Sequence, residues 1–323
     1  MTAESDETLP TPLAAALDEL FAWMQKQLLA DEARGTPCSP LYHYTGEAAL
    51  RGILEHQKLW CFRHSQQSDD KEVTYSLEIA RRVIREEAAR GNPAVESLLL
   101  CLDDLLGNNP MGEMFDFYFF SLSSHRDDAR QWTDYGDKGE GFAIGFSPAL
   151  FQPDRTELAS RPNENVFVGE VIYGRDATRT RHRCGVRKLA EITGRVTQAN
   201  SSIMQGMNPQ VWFDEMNKAF IAMLLVWNCL TAKADQFRGE QETRYIIIGV
   251  REAFDSCRRL HNGRDYGETP LPLSEAGNIT EIIVGPDAPD GAEAMVQDLL
   301  RSHGYPHGIR VTRSAVRTDR PRA

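Results

Sequence analysis

Apolar residues recur at helical spacing close to the start of the chain. Leu13, Leu17, Leu20, Phe21, Met24 and Leu28 fall on one stripe, the i, i+3, i+4, i+7 pattern of an amphipathic helix. Thr11-Pro12 supplies an N-cap followed by proline at the first helical position, and Gly35-Thr36-Pro37 ends the segment. Short extended runs follow at residues 41–45 and 59–62. Between them lies a helix with Leu50, Ile53 and Leu54 inward and Thr45 as its cap. Residues 70–90 and 93–106 read as helices separated by Gly91-Asn92-Pro93. The aromatic-rich stretch 116–123, then 141–146 and 166–173, read as strands. A short helix after the first of these places Trp132 inward with Ala129 and Tyr135. Residues 183–204 and 209–232 are helical. A long strand over 240–250 runs into the apolar stretch 245–250; a strand over 279–284, a helix over 288–303 and a strand over 309–312 complete the pattern. Strands and helices are interspersed without a regular βαβ rhythm, which predicts an α+β fold rather than a doubly wound sheet. The layout is an N-terminal helical segment over 1–36, a single α+β domain over 37–316 and a basic tail over 317–323.

Charge and composition narrow the function. The 323 residues hold 36 Lys+Arg against 47 Asp+Glu, a net charge of −11, with 41% hydrophobic residues. Such a chain buries a sizeable core and is neither collagen-like nor disordered. Its acidity argues against nonspecific binding to nucleic acid or anionic membrane. Residues 301–323 depart from this with six Arg and one Asp; that local +5, against −11 overall, leaves −16 elsewhere. The six cysteines, at 38, 61, 101, 184, 229 and 257, form no CxxC pair and no zinc-ligand spacing. They read as reduced thiols of a cytoplasmic protein. Residues 1–10 are polar and acidic, unlike a signal peptide. The most apolar stretch, between Lys218 and Lys233, is too short to span a bilayer, so no membrane partner is expected.

No P-loop, HExxH or GxSxG motif is present, and Gly136, Gly139, Gly141 and Gly145 do not form a dinucleotide fingerprint. Asp69-Asp70 and Asp127-Asp128 read as N-caps and first-turn acids. Three segments carry candidate chemistry. His43 and Thr45 share one face of a strand, with Tyr42 and Tyr44 on the other. Ser121 and Ser123 share the face away from Phe120 and Leu122. Glu240, Glu242 and Arg244 fall on one face at period 2, at the mouth of a buried strand, where paired carboxylates beside an arginine suggest a site.

The order of these segments resembles the bacterial DUF2971 family over roughly residues 40–320. The most specific blocks are Ser121-Leu122-Ser123 with Trp132, Tyr135 and Gly141, and Glu240-x-Glu242-x-Arg244. Ser68-Asp69-Asp70 departs from the Asn-Asp-Pro expected there. A more distant similarity runs to the ADP-ribosyltransferase superfamily, whose members carry a His or Arg on a first strand, a Ser-Thr-Ser-like strand and a catalytic Glu on a late strand. That resemblance implies a split β core with an N-terminal helix and helical insertions. It also implies NAD as substrate without a metal, and transfer of ADP-ribose to a protein or nucleic-acid acceptor, or hydrolysis of NAD. The setting it suggests is phage defence or a toxin or effector role. Glu242 would be catalytic with Glu240 as its helper. His43, Thr45, Ser121, Ser123 and Tyr135 would bind the cofactor, and Arg244 and Lys233 the substrate. His43, Ser121 and Glu242 would line one cleft, within about 10 Å of one another. The ring stacked on nicotinamide would come from Tyr75, Tyr118 or Tyr135. Two other readings stand beside it: a metal-dependent nuclease using Asp69, Asp70 and the two glutamates, and a non-catalytic nucleotide- or protein-binding module.

Overall fold

The computed structural model describes residues 9–35, 37–63, 71–108, 115–151, 166–250, 258–261 and 263–317. Its helices are α1 (Thr11–Gly35), α2 (Glu47–His56), α3 (Lys71–Ala88), α4 (Pro93–Asn108), α5 (Ala129–Asp134), α6 (Arg175–Ala199), α7 (Ser201–Gln205), α8 (Pro209–Phe220), α9 (Val226–Leu230) and α10 (Ala292–Ser302). Its strands are β1 (Leu41–Thr45), β2 (Lys58–Arg63), β3 (Phe115–Ser123), β4 (Phe142–Phe146), β5 (Val166–Glu170), β6 (Ile172–Tyr173), β7 (Ala232–Lys233), β8 (Glu242–Val250), β9 (Arg258–His261), β10 (Arg264–Pro270), β11 (Ile279–Val284) and β12 (Arg310–Arg313). The mixture of helices and strands is the expected α+β one, and the sheet they build is largely antiparallel. Among the described residues no helix is long and apolar enough to cross a membrane.

The chain divides into two compact units, each assembled from three separate stretches. The helical unit takes residues 1–30, 69–113 and 172–236. The buried side chains of α1 begin at Leu13, whose carbonyl accepts a 3.1 Å hydrogen bond from Trp212 Nε1. Helix α6 starts eight residues earlier than the apolar periodicity predicts. Its first turns are arginine-rich, and only Thr178 and His182 face inward there, so the hydrophobic stripe is interrupted. The segment read as one helix over 209–232 is broken by a π-turn, Ile221–Leu225, which shifts the register by one residue. Inside this unit Ser76 is hydrogen-bonded to His182 Nε2 at 3.0 Å and donates to the Asn228 carbonyl at 3.3 Å. Burial holds the His182 imidazole down at about 3, with the Arg181 charge pushing the same way.

The sheet unit takes residues 31–68, 114–171 and 237–323. Its ten strands run β12-β11-β4-β1-β3-β2-β10-β9, with β8 paired to β3 and β5 paired to β8. All these pairs are antiparallel except β11–β12. One face packs Leu41, Phe120, Leu122, Ile144, Tyr245 and Ile282 beneath α2 and α10, which contribute Leu50, Leu54, Val296 and Leu299. The other face packs Tyr42, Tyr44, Ala143 and Ile283 beneath Trp132 of α5. On one side β3 pairs with β8 along its whole length. On the other side β2 meets it at Tyr118 and Phe119, and β1 meets it only at Ser123. The two neighbours part between these points, leaving a split beside residues 120–122.

Three local expectations change. The N-cap of α2 is Gly46 and not Thr45, which stays in β1 opposite Phe142. The stretch 166–173 breaks at Val171, so β5 joins the large sheet while β6 pairs with β7. The hairpin β9–β10 lies in a stretch assigned no element from the sequence, although the Asn262-Gly263 dipeptide is a turn signal and Gly263 adopts φ +75°.

Candidate functional site

The register between β3 and β8 places Ser121 opposite Arg244 and Ser123 opposite Glu242. Directly opposed residues of an antiparallel pair share a face, so these four side chains project together. Ser121 Oγ donates to Glu242 Oε1 at 2.6 Å. Arg244 donates from Nε to Glu242 Oε1 at 2.8 Å and from Nη2 to Oε2 at 3.0 Å. Its guanidinium carbon lies 4.5 Å from the centre of the Phe119 ring. Glu242 is 4% and Arg244 1% exposed. A bidentate guanidinium and a hydroxyl stand where water would solvate an exposed carboxylate.

Glu240 reaches the same region by a different route. Gln241 adopts φ +42°, the left-handed region, and β8 begins only at Glu242. Glu240 therefore stands at the end of a 3₁₀ turn, and the period-2 pattern linking it to Glu242 and Arg244 does not hold. Its backbone carbonyl accepts from Ser123 Oγ at 2.7 Å and from Gln131 Nε2 at 3.4 Å. Its carboxylate accepts from the Tyr135 hydroxyl at 2.9 Å. Tyr135 is the C-cap of α5, past its last helical residue. That position turns its ring outward, 46% exposed, instead of inward beside Trp132. Of the three tyrosines considered for stacking, Tyr118 is fully buried and Tyr75 belongs to the helical unit. Tyr135 alone among them presents an exposed ring in the unit that holds Glu242.

His43 lies on the opposite face. Its ring stacks on Phe120 with centroids 4.0 Å apart, and Phe120 alternates with Ser121 along β3. Its Nδ1–H donates to the Ser121 carbonyl at 3.0 Å, filling the split between β1 and β2. Burial pushes the imidazole down to about 4, against the opposing pull of that carbonyl, so the ring is neutral near pH 7. Thr45 shares the His43 face and is buried. A Cβ on Gly141 would come 2.3 Å from the Thr45 carbonyl, so only glycine fits there. His43, Ser121 and Glu242 thus do not line a single cleft: the Ser121 carbonyl serves His43 on one side and its hydroxyl serves Glu242 on the other. The Tyr42–Ser123 pairing decides this, since it puts Tyr42 and Tyr44 on the serine face. Lys233 lies in β7 of the helical unit and is buried.

Two further acids lie on the serine face: Glu281, buried and left unassigned by the sequence, and the half-buried Asp127, read from the sequence as an acid at the start of a helix. Glu281, 1% exposed, accepts from the Tyr42 hydroxyl at 2.9 Å, from Arg126 at 2.8 and 2.7 Å, and pairs with Arg310 at 3.2 Å. Burial would raise its carboxyl, but the bonds from Arg126 and Tyr42 outweigh burial and hold it below the usual range. A single glutamate within the apolar run of β11 is the signal that could have found it. Asp127 accepts from Trp132 Nε1 at 2.7 Å, Ser314 Oγ at 2.6 Å and the Ala315 amide at 2.8 Å. Its neighbour Asp128 caps α5 as expected, accepting from the Arg130 and Gln131 amides. Asp69 and Asp70 lie outside the described residues. Among the described residues no three His, Cys, Asp or Glu side chains cluster closely enough to hold a metal ion.

A family model described as a protein of unknown function (DUF2971) matches residues 131–245. That stretch includes Trp132, Tyr135, Glu240, Glu242 and Arg244, and the match supports the family resemblance. No curated protein and no solved structure matches the chain.

Proposed function

We propose that the serine face of the sheet unit is a site for ADP-ribosyl transfer from NAD. The observation that carries this reading is the 2.6 Å hydrogen bond from Ser121 Oγ to Glu242 Oε1 across neighbouring strands, with Arg244 fixing the carboxylate from behind. Breaking the bond between nicotinamide and C1′ of the ribose sends the electron pair out with neutral nicotinamide. Positive charge develops on the ribose, and a preorganised carboxylate stabilises it. The acceptor nucleophile, or water, then bonds to C1′ and gives up its proton to Glu240. The exposed Tyr135 ring offers a flat surface for the nicotinamide. This reading departs from the roles the resemblance implied: His43, expected to bind the cofactor, faces away from Glu242 and holds β3 through the Ser121 carbonyl, and Arg244, expected to bind substrate, orients Glu242.

A second reading rests on the same bonds. Both Glu242 oxygens are occupied by Arg244 or Ser121, as in an ion pair that only braces the sheet of a binding module. Nicotinamide release from NAD separates the two, measured per folded molecule for the wild type, Ser121→Ala and Tyr135→Ala. Transfer predicts turnover by the wild type, a fall of about 10²-fold with Ser121→Ala and a raised KM with Tyr135→Ala. A wild type that releases no nicotinamide, with or without protein and nucleic-acid acceptors, overturns transfer in favour of the binding module.

A further inference from the structure

Helices α3 and α6 border a pocket of about 240 Å³ in the helical unit, lined by Tyr75, Glu78, Ile79, Arg82, Arg175 and Arg179. Three of these six side chains are guanidinium groups, against one carboxylate. Arg179 directs a terminal nitrogen to both oxygens of Glu86, at 2.9 and 2.7 Å. That leaves its Nε buried without a hydrogen-bond partner. Arg82 and Arg175 are exposed and have no ion-pair partner among the described residues. An unsatisfied buried donor is unfavourable until an acceptor reaches it, and guanidinium groups lining one pocket repel each other unless an anion is shared among them. The Tyr75 ring and Ile79 give the pocket an apolar wall.

We propose that this pocket binds a small phosphomonoester. A phosphoryl group presents several acceptor oxygens on one tetrahedral centre, which matches several guanidinium groups better than a single carboxylate does. The volume falls below the usual range of about 300–1,000 Å³ for ligand pockets, so it suits a monophosphate and not a dinucleotide. Glu78 in the wall, with Asp176 and Asp235 acting on Tyr75, disfavours a longer polyanion. The inference is independent of the proposed transfer site.

Calorimetric titration of the full chain with AMP, ribose 5-phosphate, inorganic phosphate and adenosine tests it. The two esters bind, inorganic phosphate binds more weakly, and adenosine does not bind. Arg82→Ala combined with Arg175→Ala weakens ester binding at least tenfold without moving the Tm, because both side chains are exposed and unpaired, whereas Ser121→Ala leaves ester binding unchanged. Absence of ester binding, ester binding that survives the double substitution, loss of ester binding with Ser121→Ala, or equal affinity for inorganic phosphate and the esters each overturns the proposal.

Discussion

Glu242 shows how a residue serves chemistry and stability together. Its carboxylate is buried against Arg244 and Ser121, so removing its charge strands a guanidinium in the core. Glu242→Gln is therefore expected to lower unfolding free energy by about 3–5 kcal/mol, measured by urea denaturation. Adding Arg244→Met restores much of the loss, and the double-mutant cycle returns a coupling well outside additivity. Near-zero coupling would show that the pair does not hold the strand. His43 is predicted to act through one bond. His43→Leu leaves the Ser121 carbonyl without a donor, an expected loss of about 1–3 kcal/mol, and lowers nicotinamide release through the displaced Ser121. A variant with unaltered turnover would free β3 from dependence on His43.

Helix α5 decides which aromatic rings are core and which are surface. Its six residues are capped by Asp128 and end at Tyr135. Within that short span Trp132 is 1% exposed, packs edge-on against Tyr44 at 4.8 Å and bonds Asp127. Trp132→Ala removes most of the apolar cover over Tyr42 and Tyr44 and should cost about 3–5 kcal/mol. Tyr135→Ala should change stability by less than about 0.5 kcal/mol for its ring, plus the modest loss of its bond to Glu240. Thermal melts of the two variants compare directly, and equal losses would refute this division. Trp132 is core as expected, but helical spacing grouped it with Ala129 and Tyr135, and both of those are exposed. The outward turn of Tyr135 was not legible, because it depends on where the helix stops.

Across the whole molecule, two neutral histidines set the response to acid, His43 in the sheet unit and His182 in the helical unit. Both are held below the ordinary imidazole value of about 6.5, chiefly by burial. The unfolded chain therefore takes up protons first, and stability falls as pH drops from about 6.5 toward 4. Each site contributes on the order of 2–3 kcal/mol over that range. The depressed carboxyls of Glu281, Asp265 and Glu293 act in the same direction at lower pH, where the unfolded chain protonates first. Urea midpoints measured from pH 7.5 to 4 should fall steadily, and His43→Leu should flatten the slope above pH 4.5. An unchanged slope would mean that His43 titrates normally.

Alternation and helical spacing by themselves determined most of the elements, since each buries a stripe that the pattern of side chains already marks. They located β1, β3, β11 and α1, and drew attention to Ser121, Ser123, Glu240 and Glu242 as polar positions at the ends of apolar runs. Period 2 gives the relative faces within a strand but not between strands. Only the pairing of Tyr42 with Ser123 showed that His43 and Glu242 face apart, because a one-residue change of register inverts every face. The left-handed turn at Gln241, the ion pair that buries Glu242, and the convergence of Arg126, Arg310 and Tyr42 on Glu281 were likewise decided in three dimensions. They join residues far apart in the chain, and no local pattern carries information about such partners.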